Sequence, residues 1–193
     1  MPKPFPQIEA AVLVRAQRGD REAHALLYDA FAVMVYTLAR RMLASRTLAE
    51  DVLQETFVEV IRKIGTYRGD AELGFWVKRV AINKCLMQLR SGWMSRRVEV
   101  DDIEALCHGS GNDGSGDDPA LQRALGELGD TARAVVWLHD VEGYTHKEIG
   151  RMMGRSASFS KSQLARAHDR LRTALQGTHE ESEPLCTPIL KLC

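Results

Sequence analysis

The sequence predicts an all-α chain of two small helical domains joined by a flexible acidic linker. Apolar residues recur at three- and four-residue steps through nearly every long segment, the period of a helix buried on one face, and strand alternation is almost absent. Residues 98–118 break that pattern. They offer little to bury, hold four glycines between Gly109 and Gly116, and over 99–118 carry seven acids with no Lys or Arg. Charge is divided around the break: residues 61–97 carry nine Lys/Arg against two acids and residues 145–175 seven against two, although the 193-residue chain sums to zero. Charge asymmetry of this kind is an argument about partners rather than fold. Two basic modules beside an acidic connector suggest two nucleic-acid contacts, with a strip that shields them when nucleic acid is absent.

The elements run in order along the chain. Ile8, Val12 and Ala16 mark a short first helix that ends near Gly19. Asp20 can cap the next, in which Leu27, Phe31, Met34/Val35, Leu38 and Met42 form one apolar side. A third runs from about Leu48 to Ile64, with Val52, Leu53, Phe57, Val60, Ile61 and Ile64 on its apolar side. The stretch Gly65–Gly69 interrupts, and a fourth helix passes through Phe75, Trp76, Val80, Leu86 and Leu89. These four make an N-terminal bundle, residues 1–97. After the linker, 98–118, the helical pattern resumes at about Pro119 and continues through Leu138 into a final helical pair, giving a second domain over 119–176. A tail, 177–193, contains two prolines and no helical period.

The most informative segment is Gly143–Arg172. Thr145 can cap a helix through its side-chain oxygen, and Glu148 three residues later completes a capping box. Ile149 and Met152/Met153 supply that helix's buried side, and Gly154 sits where a left-handed stop is needed. Ser156 or Ser158 can cap the last helix. That helix then buries Phe159, Leu164, Ala167 and Leu171, leaving Lys161, Ser162, Gln163, Arg166 and Arg170 for other faces. A short two-helix unit presenting these groups is the layout of a helix-turn-helix entering a major groove, where phosphates need positive charge and base edges need hydrogen-bonding groups. A surface hairpin with a solvated basic face would share the pattern.

Other chemistry finds little support. The four cysteines, Cys85, Cys107, Cys186 and Cys193, have no paired C-x-x-C spacing, and the six histidines no H-x-x-x-H pairing, so neither a disulfide framework nor a metal module is indicated. His179, Cys186 and Cys193 in the tail could bind metal or sense redox state, though neither spacing nor context demands a site. No cofactor is expected. There is no P-loop or nucleophile elbow, and no covalent chemistry is expected. The N-terminus lacks a signal-peptide core, and the most apolar run, Ala30 to Ala39, is too short to span a bilayer. The expected location is cytoplasmic.

Three signatures, in order, resemble the extracytoplasmic-function class of bacterial RNA polymerase sigma factors, over nearly the whole chain. Asp51-Val-Leu-Gln54-Glu55-Thr-Phe57 resembles the family's polymerase-docking helix. Tyr67-Arg68-Gly69-Asp70, with Phe75-Trp76-Val77-Lys78-Arg79-Val80-Ala81-Ile82-Asn83, resembles its promoter-melting loop and helix. Glu142-Gly143-Tyr144-Thr145, Glu148-Ile149 and Ser160-Lys161-Ser162-Gln163-Leu164 with Arg166-Ala167 resemble its promoter-reading helix-turn-helix. The resemblance implies that Asp51, Gln54 and Glu55 dock on core RNA polymerase, whose β′ coiled coil and β flap are the expected partners. It implies that the Tyr67–Asp70 loop and Asn83 receive a flipped base of the −10 element, with Arg68, Lys78 and Arg79 beside them. An Asn amide suits that task because it both donates and accepts. Lys161, Ser162 and Arg166 would read or grip the −35 element of promoter DNA, and Arg155 in the turn would contact phosphate. Ser158-Phe159 stands where Gly-Thr is frequent and His168 where Arg is usual, which touches sequence preference rather than docking mode. An anti-sigma partner is implied, and no membrane insertion. The alternative is a one-component helix-turn-helix transcription factor, which leaves the first two signatures without a role.

Overall fold

The computed structural model of the chain describes residues 5–97 and 119–180. The expected linker, 98–118, lies outside them, as do His108, Cys107, Cys186 and Cys193. The elements are α1 (Ala10–Gln17), α2 (Arg21–Leu43), α3 (Arg46–Lys63) with a 3-10 turn Ile64–Thr66, α4 (Leu73–Arg97), α5 (Pro119–Gly126), α6 (Asp130–Val136) running into a π-helical turn Trp137–Val141, α7 (His146–Met153) and α8 (Ala157–Glu180). There is no strand among the described residues.

Local chemistry starts and stops these helices. The Asp20 carboxylate accepts from the N–H groups of Glu22 and Ala23 at the head of α2, and the Ser45 hydroxyl accepts from Leu48 N–H at the head of α3. Between them Ala44 adopts φ 49°, ψ 17°, so α2 ends in a left-handed residue that has a Cβ.

α2, α3 and α4 pack as a three-helix core with α1 across one end. Leu27, Phe31, Val35, Leu38 and Met42 of α2 are buried as their spacing requires. α3 differs from the sequence reading in one respect: Ile61 is 42% exposed, and Ala49, Val52, Thr56, Phe57 and Val60 form the buried face instead. On α4, Leu86 and Leu89 of the expected pattern are in the core, and Trp76 and Val80 are half-buried. The buried face of the helix is Val77, Ala81, Ile82, Cys85, Leu86 and Leu89, while Phe75 is 48% exposed. Burial pushes the Cys85 thiol up to about 12, so it is held as an unreactive thiol of the core.

The second unit departs further from its period. The expected run from Pro119 through Leu138 is broken at Glu127–Gly129, where Leu128 is buried as a loop residue, and α6 finishes in a π-helical turn. α8 continues to Glu180, past the expected stop at Gln176, since no proline intervenes before Pro184.

The two units touch. Arg133 is 5% exposed, and its guanidinium is almost fully used. Nε donates to Met42 O (3.4 Å) and Nη2 to Leu43 O (3.3 Å), the free carbonyl end of α2. Nη1 donates to Leu128 O (2.9 Å) and Leu125 O (3.4 Å), and Nη2 also to Asp130 Oδ1 (2.7 Å). A buried guanidinium is tolerated because its donors find oxygens on every side. Arg41 lies over the Trp137 ring at 5.9 Å, adding a cation–π contact across the same junction.

Candidate nucleic-acid interface

On α3, Asp51 and Gln54 are exposed, with Val52 and Phe57 turned into the bundle. Glu55 is half-buried and leans back onto α4: Gln88 Nε2 donates to it at 3.3 Å, and Lys84 Nζ is 3.5 Å away. Asp51 and Gln54 therefore form the outward polar part of this face.

α4 presents four exposed residues on one line. Phe75, Arg79, Asn83 and Met87 recur at four-residue steps and all are exposed, opposite the face that Val77, Ala81 and Cys85 bury. One stripe thus offers an aromatic ring, a guanidinium, an amide and a thioether. The loop before it is held from two sides. Gln17 Nε2 donates to Tyr67 O (3.0 Å) and Ile64 O (3.3 Å), and the Tyr67 hydroxyl donates to Ala71 O. The Tyr67 ring packs on Trp76 with centroids 5.6 Å apart, leaving Arg68 and Asp70 exposed beside the head of α4. Trp76 is half-buried against this ring.

Lys78 is off the stripe. Its ammonium pairs with Glu142 Oε2 at 2.9 Å and faces the Phe5 ring at 5.1 Å and the Phe75 ring at 5.9 Å. Trp137 Nε1 donates to the other Glu142 oxygen at 3.3 Å, so that carboxylate is fully engaged where the two units meet. Phe5 fits because Gly74 has no side chain: a Cβ there would lie 2.2 Å from the Phe5 ring.

The helix-turn-helix forms as its residues require. Thr145 and Glu148 make a capping box, with Thr145 N–H donating to Glu148 Oε2 at 2.9 Å and Glu148 N–H to Thr145 Oγ1 at 3.3 Å. The Thr145 hydroxyl also donates to Glu148 Oε2 at 2.6 Å, and this bond, followed by the one from Thr145 N–H, holds the Glu148 carboxyl below its ordinary range. Gly154 takes φ 66° at the stop, and Ser156 Oγ, of the two serines available, accepts from Phe159 N–H to cap α8. Gly150 is a closer constraint than Gly154: a Cβ at 150 would lie 2.8 Å from Arg155 O and 2.9 Å from the Ser156 carbonyl. α7 thus packs directly on the backbone of the turn. Lys161, Ser162 and Arg166 are exposed on α8, and Arg155, also exposed, lies over the half-buried Phe159 ring at 5.6 Å.

Beside these groups is a cluster the sequence did not disclose. His139 Nδ1–H and His168 Nε2–H donate to the two oxygens of Asp140, at 2.8 and 2.7 Å. The His139 ring stacks on His146 with centroids 4.4 Å apart and an interplanar angle of 19°. His146 Nδ1 in turn shares a 3.1 Å hydrogen bond with the hydroxyl of Ser160, which is wholly buried.

Comparison with known proteins decides what carries these surfaces. Residues 27–94 match the sigma-70 region 2 family and residues 119–171 match sigma-70 region 4. The chain is 32% identical to the ECF RNA polymerase sigma factor SigM of Mycobacterium tuberculosis over 169 residues, covering 86% of this chain and 84% of that protein. It belongs to the ECF RNA polymerase sigma factors. RNA polymerase sigma factor CarQ of Myxococcus xanthus is 31% identical over 169 residues, covering 83% of this chain and 94% of that protein. The fold is shared with the sigma factor RpoE of Bartonella quintana, solved with the anti-sigma factor NepR, at a TM-score of 0.52 and 21% identity over 79% of this chain and 96% of that one. As a sigma factor the chain directs promoter-specific transcription by RNA polymerase. Among the described residues no helix is long and apolar enough to cross a membrane.

In this sigma factor the two family regions correspond to the bundle and to the helix-turn-helix unit. Sequence reasoning missed Arg133, Gly150, the buried bond of Ser160 to His146, and the Asp140 cluster. A glycine within an otherwise regular helix was the visible signal at position 150. Asp140 and His168 are 28 positions apart, and no spacing in the sequence pairs them.

Proposed function

We propose that this sigma factor divides its work among three faces. Asp51 and Gln54 of α3, with Glu55 once released from Lys84, dock on core RNA polymerase. The Tyr67–Asp70 loop and the α4 stripe receive the downstream promoter element and help melt it. Lys161, Ser162 and Arg166 of α8, with Arg155, hold the upstream element. The protein acts in the cytoplasm with polymerase, performs no covalent chemistry itself, and answers to an anti-sigma protein, as RpoE is held by NepR in Bartonella quintana. The observation that carries the reading is the exposed line Phe75, Arg79, Asn83, Met87 beside a braced aromatic loop. A base leaving the duplex needs a ring to stack on and an edge to bond with, and this line offers both next to a phosphate-binding cation. Lys78 joins it only when the Glu142 pair opens, since its ammonium is otherwise engaged.

Permanganate footprinting of a cognate promoter tests the assignment. Asn83→Ala is expected to leave polymerase binding and upstream affinity near wild type while lowering open-strand reactivity roughly tenfold, as a lost pair of base-edge hydrogen bonds is worth about 1–3 kcal/mol. Equal reactivity at equal occupancy would make Asn83 an ordinary bundle residue.

A further inference from the structure

The segment before α1 reaches across the head of α4. Phe5 precedes Pro6, which disfavours helical backbone at Phe5, and the fixed φ of Pro6 helps keep the segment irregular until α1 begins at Ala10. Gln7 ties it down. Its Nε2 donates to Glu72 Oε1 at 3.3 Å, and the Glu72 carbonyl accepts the N–H groups of Phe75 and Trp76 at 3.0 and 3.2 Å in the first turn of α4. The Phe5 ring is thereby laid against Gly74, where a Cβ would lie 2.2 Å from the ring. From that seat it meets the Phe75 ring edge to face, with centroids 4.7 Å apart and an interplanar angle of 75°. We propose that Phe5 is a positioning residue for the downstream promoter element: seated on Gly74, it holds the Phe75 ring out on the line of Arg79 and Asn83, where an unpaired base can stack. The inference rests on the reading of that line as the downstream-element surface.

A half-exposed aromatic ring on the first turn of a helix can visit more than one rotamer, and a base that stacks on it must freeze that freedom. Ordering the ring before the base arrives removes this cost from binding. Phe5 supplies the order in two ways. Its ring fills the space over Gly74 beside Phe75, and the edge-to-face contact favours one orientation of the Phe75 ring over others of equal exposure. Lys78 belongs to the same arrangement. Its ammonium lies 5.1 Å from the Phe5 centroid and 5.9 Å from that of Phe75, so the two rings keep the cation beside the line when its pair with Glu142 opens. Gly74 is the residue that permits all of this. It is buried in a regular helix, where any side chain would take the place of the Phe5 ring. An aromatic pair of this geometry corresponds to about two- to tenfold in affinity when it is broken.

The test uses holoenzyme assembled from the full chain and core polymerase. The probe is a single-stranded oligonucleotide carrying the downstream element of a promoter that this holoenzyme selects from a random library, with binding read by fluorescence anisotropy. Phe5→Ala should bind it about two- to tenfold more weakly, and Phe5→Tyr, which keeps the ring, should bind as wild type does. Gly74→Ala should reproduce the loss with Phe5 still present, because the new methyl group evicts the ring while favouring the helix. In a double-mutant cycle, Phe5→Ala should add nothing to Phe75→Ala. Circular dichroism melts confirm that each variant is folded, and affinity for polymerase and for an upstream duplex should be equal in all. Wild-type affinity in Phe5→Ala or in Gly74→Ala, where Phe75→Ala is weakened, would overturn the proposal. So would additive losses in the double mutant, since Phe5 would then touch the strand without acting through Phe75. Phe75→Ala and Asn83→Ala are the separate control on α4: if both bind the probe as wild type does, the reading of the line itself fails, whatever Phe5 does.

Discussion

The bundle of α1–α4 and the helix-turn-helix unit of α5–α8 are held together by different physics. The bundle is built on long helices whose buried faces are almost wholly aliphatic and aromatic, with Phe31, Val35, Met42 and Val52 entirely removed from water. Its polar groups work at the ends, as the Asp20 and Ser45 caps do. The second unit has shorter elements, an interrupted first helix and a π-helical turn, and its geometry depends on particular polar bonds: Arg133 on five oxygens, the Thr145–Glu148 box, Asp140 between two imidazoles. Apolar burial is non-directional and tolerates small shifts, whereas each of those bonds specifies one arrangement. The proposed polymerase-docking face therefore rests on a robust core. The proposed upstream-reading face rests on bonds that single substitutions remove.

Four substitutions would break or sharpen this contrast. Phe31→Ala opens a cavity at the centre of the bundle and should cost about 3–5 kcal/mol, read as a lower denaturant midpoint together with lost polymerase affinity. An undiminished midpoint would mean that the bundle's stability lies elsewhere. Arg133→Met removes the guanidinium from the carbonyl end of α2 and from Asp130. A loss of about 2–3 kcal/mol is expected, with a larger radius of gyration in small-angle scattering as the units part; unchanged scattering would show that Arg41 and Trp137 suffice to hold them. Gly150→Ala pushes a methyl group against the backbone of the turn and should cost about 1–3 kcal/mol. Upstream affinity should fall while polymerase binding survives, and equal loss of both would argue against two separable units. Ala44→Gly works in the other direction. Relief of a left-handed alanine between α2 and α3 should raise thermal stability by up to about 1 kcal/mol, and a lower melting temperature would show that the Ala44 methyl group contributes packing.

Much of the candidate site was legible because it is local. Thr145 and Glu148 are three residues apart, Gly154 closes the same helix, and the line through Arg79 and Asn83 comes from a four-residue step. The orientation of α4 was less legible. In the sequence Phe75 can either pack or stack, and in the structure its ring is half in solvent beside Phe5. Composition cannot distinguish an aromatic residue that fills a core from one that lines a surface, since the two differ only in what lies opposite.

The sequence by itself determined the helical class, the caps at Asp20 and Thr145, the stop at Gly154, and the division of charge between two basic modules. Each of these comes from interactions within about four residues or from simple sums along the chain. Tertiary structure alone decided that Arg133 meets carbonyls 90 and 91 positions away, that Lys78 spends its charge on Glu142 across 64 positions, and that Asp140 joins His168. Those pairings depend on how finished helices pack, and no period in the chain records which polar groups the packing will bring within hydrogen-bonding distance of one another.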